Sequence, residues 1–598
     1  MTPPLEQSRE ALRKLVSTPV RRKYFDTLRR MLGAPGLISI REEQFFLVLA
    51  IAIGILAGFC IVLFRVAIAA ARLWLLGSSM HPAAPRVVLV PALMGLVIAV
   101  LAVRFFPRVR GSGVNQTKSA LYIYDGHISA KTTVGTFILS ALAIGSGQSL
   151  GPEDAALQIG AGLASGVGRW LKLSKERLRL LAPVGAAAGL AAAFNAPITA
   201  VLFVIEEVIG RWSAGILGAV VLSAISSVVV ERWFLGSEPL FRVPQYHLDH
   251  AGELIAYAVL GVVGGAGSLA FVKTIKYVRP RLRRLPQWSQ YLQPGVAGLL
   301  IGFIAIWYPQ VMGAGYEWID LAMHNRFPWE VLGILAGLKI LSTALSFTSG
   351  TPGGLFAPVL FMGAMLGGSV AMLEQQLFPS IAVPVGAYAL VGMGALFAGI
   401  LRAPMTSVFM ILEVSGNYSI ILPVIICNTI SYLISRAFQE VPLFDLLSRQ
   451  DGLDLPSLEE DHEHEILRVE DAMHPTMGRA LLGDELIASA RNIAASTQEE
   501  HFLVSLGEGR WSVLSRQTLL DPALDETAPL RSLIRSRVPR LHLDQSLDVA
   551  LRFIKDRPML PVVHRGNMDL LMGVVSVEDI LRAYRKAGIA EAETGEVS

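Results

Sequence analysis

The sequence predicts an all-α polytopic membrane protein, built from two repeated halves with broken helices and followed by a small cytoplasmic α/β domain. Three observations carry that prediction. The 598 residues are 53% hydrophobic and only 17% charged, whereas soluble globular chains carry about 25% charged residues. Apolar density begins at Phe45, ends near Phe438 and is cut repeatedly by Gly and Pro. A motif beginning at Asn195 recurs at Arg402 with matching offsets.

Residues 1–43 are polar and basic, with Arg13, Lys14, Arg21, Arg22, Lys23, Arg29 and Arg30. No cleavable signal peptide is visible there. Basic residues beside a first span place the N-terminus in the cytoplasm. With a formal net charge of only +4, they read as an orientation signal and not as a nucleic-acid site.

The apolar runs Leu47–Phe64 and Leu254–Val272 approach the ~20 residues that a spanning helix needs. Other segments are short and bounded or interrupted by Gly or Pro: Thr133–Ser146, Ala155–Trp170, Leu181–Leu190, Ile198–Val208, Leu355–Leu373 and Met405–Glu413. Such segments point to discontinuous helices that meet near the bilayer midplane. Irregular backbone at that depth is tolerated only against protein or a water-filled cavity. Cys60 and Cys427 both lie in apolar runs and read as small hydrophobes.

The repeat pairs Asn195-Ala196-Pro197-Ile198-Thr199-Ala200-Val201, leading to Glu206, with Arg402-Ala403-Pro404-Met405-Thr406-Ser407-Val408, leading to Glu413. A second pair sets Gln158-Ile159-Gly160-Ala161 against Phe361-Met362-Gly363-Ala364, and equal steps back place Glu153 opposite Phe356. The transmembrane domain thus spans 44–446, with halves of about 44–236 and 250–440. Repeats of this kind place a binding site between the halves.

A linker is expected over 447–468. Its run Glu459-Glu460-Asp461-His462-Glu463-His464-Glu465 reads as solvated chain and not as a metal site, since no further ligand set follows at metal spacing. In 469–598, Leu560–Val563 and Leu571–Ser576 read as strands and Val577–Lys586 as an amphipathic helix.

Gly151-Pro152-Glu153-Asp154 puts carboxylates on a glycine-proline turn that opens a helix inside membrane-like sequence. An ionisable group at membrane depth costs ~3 kcal/mol or more, so its presence argues for function. A helix N-terminus offers unpaired N–H groups and partial positive charge. A glutamate there can occupy an anion site, or leave it once protonated. Three further segments complete such a site. Gly111-Ser112-Gly113-Val114 supplies a hydroxyl and backbone N–H groups, Gly353-Gly354-Leu355-Phe356-Ala357-Pro358 supplies N–H groups beside a ring, and Pro442-Leu443-Phe444 supplies a second ring. None of the four segments contains Lys or Arg. Neutral donors suit an anion that must bind and leave quickly.

In these motifs the chain resembles the CLC family of chloride channels and chloride/proton exchangers, over about residues 40–446 and in the tail. The family's Gly-Ser-Gly-Ile-Pro is similar to Gly111-Ser112-Gly113-Val114-Asn115, with Asn115 where proline is usual. The resemblance implies that Ser112 and Gly113 meet the central anion. Gly-x-Glu-Gly-Pro resembles Gly151-Pro152-Glu153-Asp154-Ala155, which makes Glu153 the gate and sets an extra acid, Asp154, beside it. Gly-x-Phe-x-Pro is matched by Gly354-Leu355-Phe356-Ala357-Pro358, which adds Leu355, Phe356 and Ala357 to the anion contacts. The family's last motif, a tyrosine shortly after a proline, aligns with Phe444, a ring without the hydroxyl. Ala193-Phe194-Asn195-Ala196-Pro197 leads to Ile205-Glu206-Glu207, and the second glutamate matches the exchangers' inner proton acceptor. Proton transfer would thus run between Glu207 and Glu153.

The tail resembles a pair of CBS modules. The second copy is clear in Gly573-Val574-Val575-Ser576-Val577-Glu578-Asp579; the first, from Val469 with Met473-His474-Pro475, is degraded and has Thr518 where the second has Asp579. Ser576 and Asp579 are the candidate contacts for an adenine nucleotide, and no cofactor is required for transport. The resemblance implies a homodimer in the plasma (inner) membrane, both termini cytoplasmic, with one anion pore per subunit and with chloride or a similar small anion and protons as partners. The leading expectation is chloride/proton antiport gated by Glu153; the alternative is an uncoupled voltage- or pH-gated chloride channel. An enzyme is not expected: His-Glu-x-x-His is absent, and the histidines lie outside the long apolar segments.

Overall fold

The computed structural model describes residues 42–78, 83–210, 214–241, 252–377, 385–453, 455, 467–474, 480–554, 557–565 and 567–585. The basic N-terminal stretch, the His/Glu run at 459–465, Pro475 and Lys586 lie outside the described residues. The chain divides into two compact units, Met1–Leu458 and Glu459–Ser598.

In the first unit, eight of the described helices are long and apolar enough to cross a membrane. Chain order is α1 (Glu42–Leu75), α2 (Ala84–Arg104), α3 (Gly113–Tyr122), α4 (Ala130–Gly145), α5 (Glu153–Trp170), α6 (Lys175–Phe194), α7 (Pro197–Phe203), α8 (Ala214–Leu235), α9 (Glu253–Arg283), α10 (Gln293–Trp307), α11 (Tyr316–Met323), α12 (Trp329–Thr348), α13 (Phe356–Leu377), α14 (Val385–Leu401), α15 (Pro404–Ser415), α16 (Ile421–Phe438) and α17 (Leu443–Gln450). Several expected segments are longer than their apolar runs. Leu47–Phe64 is the middle of a 34-residue helix. Leu181–Leu190 is not a broken piece: it lies inside the 20-residue α6, which runs through Pro183. The helix survives its proline because it is buried along most of its length, where neighbouring helices hold it.

The repeat is visible in the packing. α5 lies on α6 as α13 lies on α14. Gly160 faces Gly185 and Gly189, and Gly363 faces Gly392, so a Cβ at either Gly160 or Gly363 would strike the opposite backbone. Small residues let helices approach closely where no hydrophobic force drives them together.

The two halves also exchange equivalent contacts. The Gly151 N–H donates to the Gly354 carbonyl at 2.8 Å, and the Gly354 N–H donates to the Gly151 carbonyl at 2.7 Å. Glu413 of the second half accepts the N–H groups of Ile198 (3.0 Å) and Thr199 (2.7 Å) at the start of α7. Glu206 of the first half accepts those of Met405 (3.2 Å) and Thr406 (2.9 Å) at the start of α15. Both carboxylates also take the threonine hydroxyl. Pairing in which each half gives what it receives marks a local two-fold relation. The glutamates of the sequence repeat are therefore helix caps supplied across the half boundary. After α7 the chain widens into a π-helical turn, Val204–Ile209, whereas α15 stays α-helical through Ser415.

The second unit is itself repeated. Its first part has β1 (Leu481–Leu482) parallel to β2 (His501–Ser505), which pairs antiparallel with β3 (Trp511–Ser515). Helices α19 (Ile487–Ser496) and α20 (Arg516–Leu519) accompany them, while the preceding short α18 (Val469–Ala472) packs into the core of the second part. Its second part has a parallel bridge from Leu541 to Val562, then β4 (Met559–His564) antiparallel to β5 (Asn567–Ser576). Here α21 (Leu547–Ile554) and a helix over 577–585 take the matching places. The expected strands and final helix are thus present, each extending about where the alternation placed it.

Candidate functional site

Two helices begin at the crossing of the Gly151 and Gly354 loops: Glu153 is the first residue of α5 and Phe356 the first of α13. This is the equivalence that the repeat predicted. Glu153 is fully buried. Its Oε2 accepts the Ala357 N–H at 3.3 Å, while Oε1 meets no donor among the described residues. The carboxylate therefore folds back over the paired loops and takes a donor at the N-terminus of α13. Gly151 makes room for it: a Cβ there would collide with Oε2 and lie 2.9 Å from the Ala357 Cβ. Gly151→Ala should hold the carboxylate out of this position, so anion efflux at alkaline pH should rise above that of the parent. An unchanged pH profile in a folded variant contradicts this assignment.

Ser112 caps α3, its Oγ accepting the Asn115 N–H at 3.4 Å. The Val114 N–H, expected among the donors of an anion site, donates instead to Asp154 Oδ1 at 2.7 Å. Asp154 is buried, and its Cβ and backbone press against Gly354 and Gly113. A carboxylate at a helix N-terminus stands where an anion would. The extra acid of the Gly151 motif thus serves as a second built-in anion, aimed at the helix that Ser112 opens.

Asn115, the residue in the proline position, donates from Nδ2 to the Phe444 carbonyl at 2.7 Å. It ties the start of α3 to the start of α17. Phe444 is buried and completes a ring cluster with Phe356 (6.1 Å between centroids) and Phe203 (6.4 Å). Phe356 also meets Phe194, Phe203 and Phe397. Leu355 is buried immediately before it. Ser112, Gly113, Glu153, Leu355, Phe356, Ala357 and Phe444 thus belong to one neighbourhood, joined through Asp154, Asn115 and the phenyl rings.

Glu207 is outside that set. It sits on the π-helical turn and pairs with Lys118 Nζ at 2.9 Å. Lys118 also reaches Asp445 at 3.1 Å, the residue after Phe444. Neither Lys118 nor Asp445 was singled out in the sequence. The available signal was a lone lysine five residues past the Gly113 helix start, in a domain poor in charge. A cavity of about 580 Å³ opens beside Pro152, with Arg65, Arg72, Tyr316 and Glu317 among its lining residues. The arginines are held by Glu231 and Glu317, each at 2.8 Å. Each arginine beside the cavity is thus paired with a carboxylate.

In the tail, Ser576 and Asp579 engage each other. The Ser576 N–H and hydroxyl donate to Asp579 Oδ2 at 3.0 and 2.7 Å, and Asp579 Oδ1 pairs with His474 at 2.7 Å. Ser515 and Thr518 hold the matching cap in the first part. Among the described residues no group of three or more His, Cys, Asp or Glu is placed to hold a metal.

Several known proteins resemble the chain over its membrane unit. A family model described as voltage gated chloride channel matches residues 94–436. The H(+)/Cl(-) exchange transporter ClcA of Salmonella arizonae is 31% identical over 415 residues, covering 67% of this chain and 87% of that protein. Among solved structures, a slow cyanobacterial Cl-/H+ antiporter is similar with a TM-score of 0.64 and 25% identity, over 69% of this chain and 99% of that one. A eukaryotic CLC transporter is similar with a TM-score of 0.59 and 22% identity, over 89% of this chain and 97% of its own.

Proposed function

The chain belongs to the voltage-gated chloride channel (CLC) family, and from that premise we propose that it exchanges chloride for protons across the membrane, gated by Glu153. One observation carries the reading. A fully buried carboxylate occupies a backbone N–H at the joint between the two halves, where an anion would otherwise be held. When ionised, Glu153 competes with the anion for that place; when protonated, it no longer does, and the anion can enter. Ser112 and the backbone around Phe356 and Ala357 then offer neutral donors, which bind without trapping. Glu207 collects protons from the inner side and passes them toward Glu153.

The test is simultaneous recording of anion efflux and pH in liposomes holding the purified protein. A chloride gradient should drive protons uphill in the parent. Glu207→Ala should stop the proton movement and keep the anion flux. Phe444 favours a second reading, an uncoupled channel, because its ring has no hydroxyl to hold the central anion. A chloride gradient that moves no protons at any pH decides for that reading.

The tail is read as a pair of CBS-like modules bracing a homodimer, with adenine nucleotide as the ligand to be tried. What supports this is the repeated strand-helix-hairpin-helix order and the matching caps Ser515/Thr518 and Ser576/Asp579. All proposed transport contacts precede it, so a chain ending at Leu458 should still carry anions. One ending at Gln450 should be less stable, because Arg279 and Arg283 both anchor on Asp451. Loss of flux in a well-assembled chain ending at Leu458 contradicts the division of labour. The location follows from the same reading: the plasma (inner) membrane, with both termini in the cytoplasm.

A further inference from the structure

We propose that Lys118 is a positioning residue for proton exchange: it gathers Glu207 and Asp445 into one buried ion triad that joins the proton-accepting turn to the helix carrying Phe444. The proposal rests on the exchange reading above.

α3 carries Asn115, Lys118 and Tyr122 at spacings of three and four, which puts them on one face. Those three residues make four cross-links. Asn115 holds the Phe444 carbonyl at the start of α17. Lys118 Nζ holds Glu207 Oε1 at 2.9 Å and Asp445 Oδ1 at 3.1 Å. The Tyr122 hydroxyl donates to the Ile209 carbonyl, at the end of the π-helical turn. One short helix thus begins at the anion motif and clasps both the second ring and the proton acceptor.

The Lys118 side chain is 1% exposed, that of Glu207 10% and that of Asp445 7%. A lone ammonium this deep is very costly, and removing one member of a buried ion group strands the others. With all three ionised the triad carries a net single negative charge. It can therefore take up a proton without breaking apart, while the ammonium keeps the Glu207 carboxylate turned toward α17. Among the described residues, the other titratable groups facing Glu207 are few. Glu206, on the same turn, is occupied with the N–H groups of Met405 and Thr406. Tyr122 is on α3. α7 has no ionisable residue, and the charged residues of α6 are confined to its start, from Lys175 to Arg179. A π-helical turn is a frequent mark of a functional site, and here it is what presents Glu207 to Lys118.

The test measures protons moved per anion in liposomes for the parent, Lys118→Met, Lys118→Arg and Asp445→Asn. Lys118→Met should lower the ratio about tenfold, less than the roughly hundredfold that loss of a proton carrier itself brings, while anion efflux persists. Lys118→Arg keeps a cation that can reach both acids and should restore most of the ratio. If Lys118→Met does not assemble, Asp445→Asn carries the test: the ammonium then answers to Glu207 alone, and the ratio should fall. Parent-like ratios in both variants overturn the role of Lys118, as does a loss of both fluxes in equal proportion. A parent protein that moves no protons overturns the exchange reading itself.

Discussion

Glu153→Gln should cut the protons moved per anion by about a hundredfold, the lower end of what a positioned proton carrier contributes, while anion flux continues and loses its pH dependence. The amide has the shape of the protonated acid and no charge with which to compete for the Ala357 N–H. The variant should therefore behave as a gate fixed in its neutral state. Paired chloride-electrode and pH-electrode recordings check it directly. Parent-like coupling in Glu153→Gln would remove Glu153 from the gate, whatever the family resemblance implies.

The second large effect concerns stability. Glu413 accepts two backbone N–H groups and a hydroxyl from the first turn of α7. These are charge-assisted bonds at a helix N-terminus, and stripping them should cost about 3 kcal/mol. Glu413→Ala should lower the thermal midpoint of the purified protein, and Glu206→Ala should lower it by a similar amount, because each cap is the other's counterpart. Glu413→Gln keeps the acceptor oxygen and should lose less. The measurement is thermal unfolding in detergent for all three variants. A parent-like midpoint in both alanine variants means that the caps do not hold the halves together. Proton coupling in folded Glu413→Ala should stay near that of the parent, which separates this acid from Glu207.

Much of the frame was legible because its signals are local or periodic. The motif at Gly151 could be read as a helix start, the Ala-Pro-x-Thr repeat gave the halves, and the Gly160/Gly363 pair aligned Glu153 with Phe356. What escaped was non-local. Lys118 meets partners 89 and 327 residues away, and Asn115 meets one 329 residues away. No periodicity records such a pairing. Glu206 and Glu413 were found as a matched pair, but a match says nothing of who caps whom; only the fold shows that each serves the opposite half. Asp154 was noticed as unusual, and its direction, toward the Val114 N–H and away from Ala357, could not be read from its position beside Glu153. The apolar runs at α1 and α9 marked helices but not their ends, since polar residues continue both helices past the apolar stretch.

Once Glu206 and Glu413 are superimposed as counterparts, the next residues differ: Glu207 in one half, Val414 in the other. The turn that carries Glu207 is wide, and the one that carries Val414 is regular. A two-fold frame is indifferent to direction, because each place it creates has a twin. A difference between the twins gives the two halves different chemistry. Here a single acid stands where the other half has valine, on a turn of altered pitch, and breaks the equivalence. On the exchange reading proposed above, the duplicated scaffold supplies the resting place for the anion, the proton path uses side chains that only one copy possesses, and the ion gradients set the direction of travel.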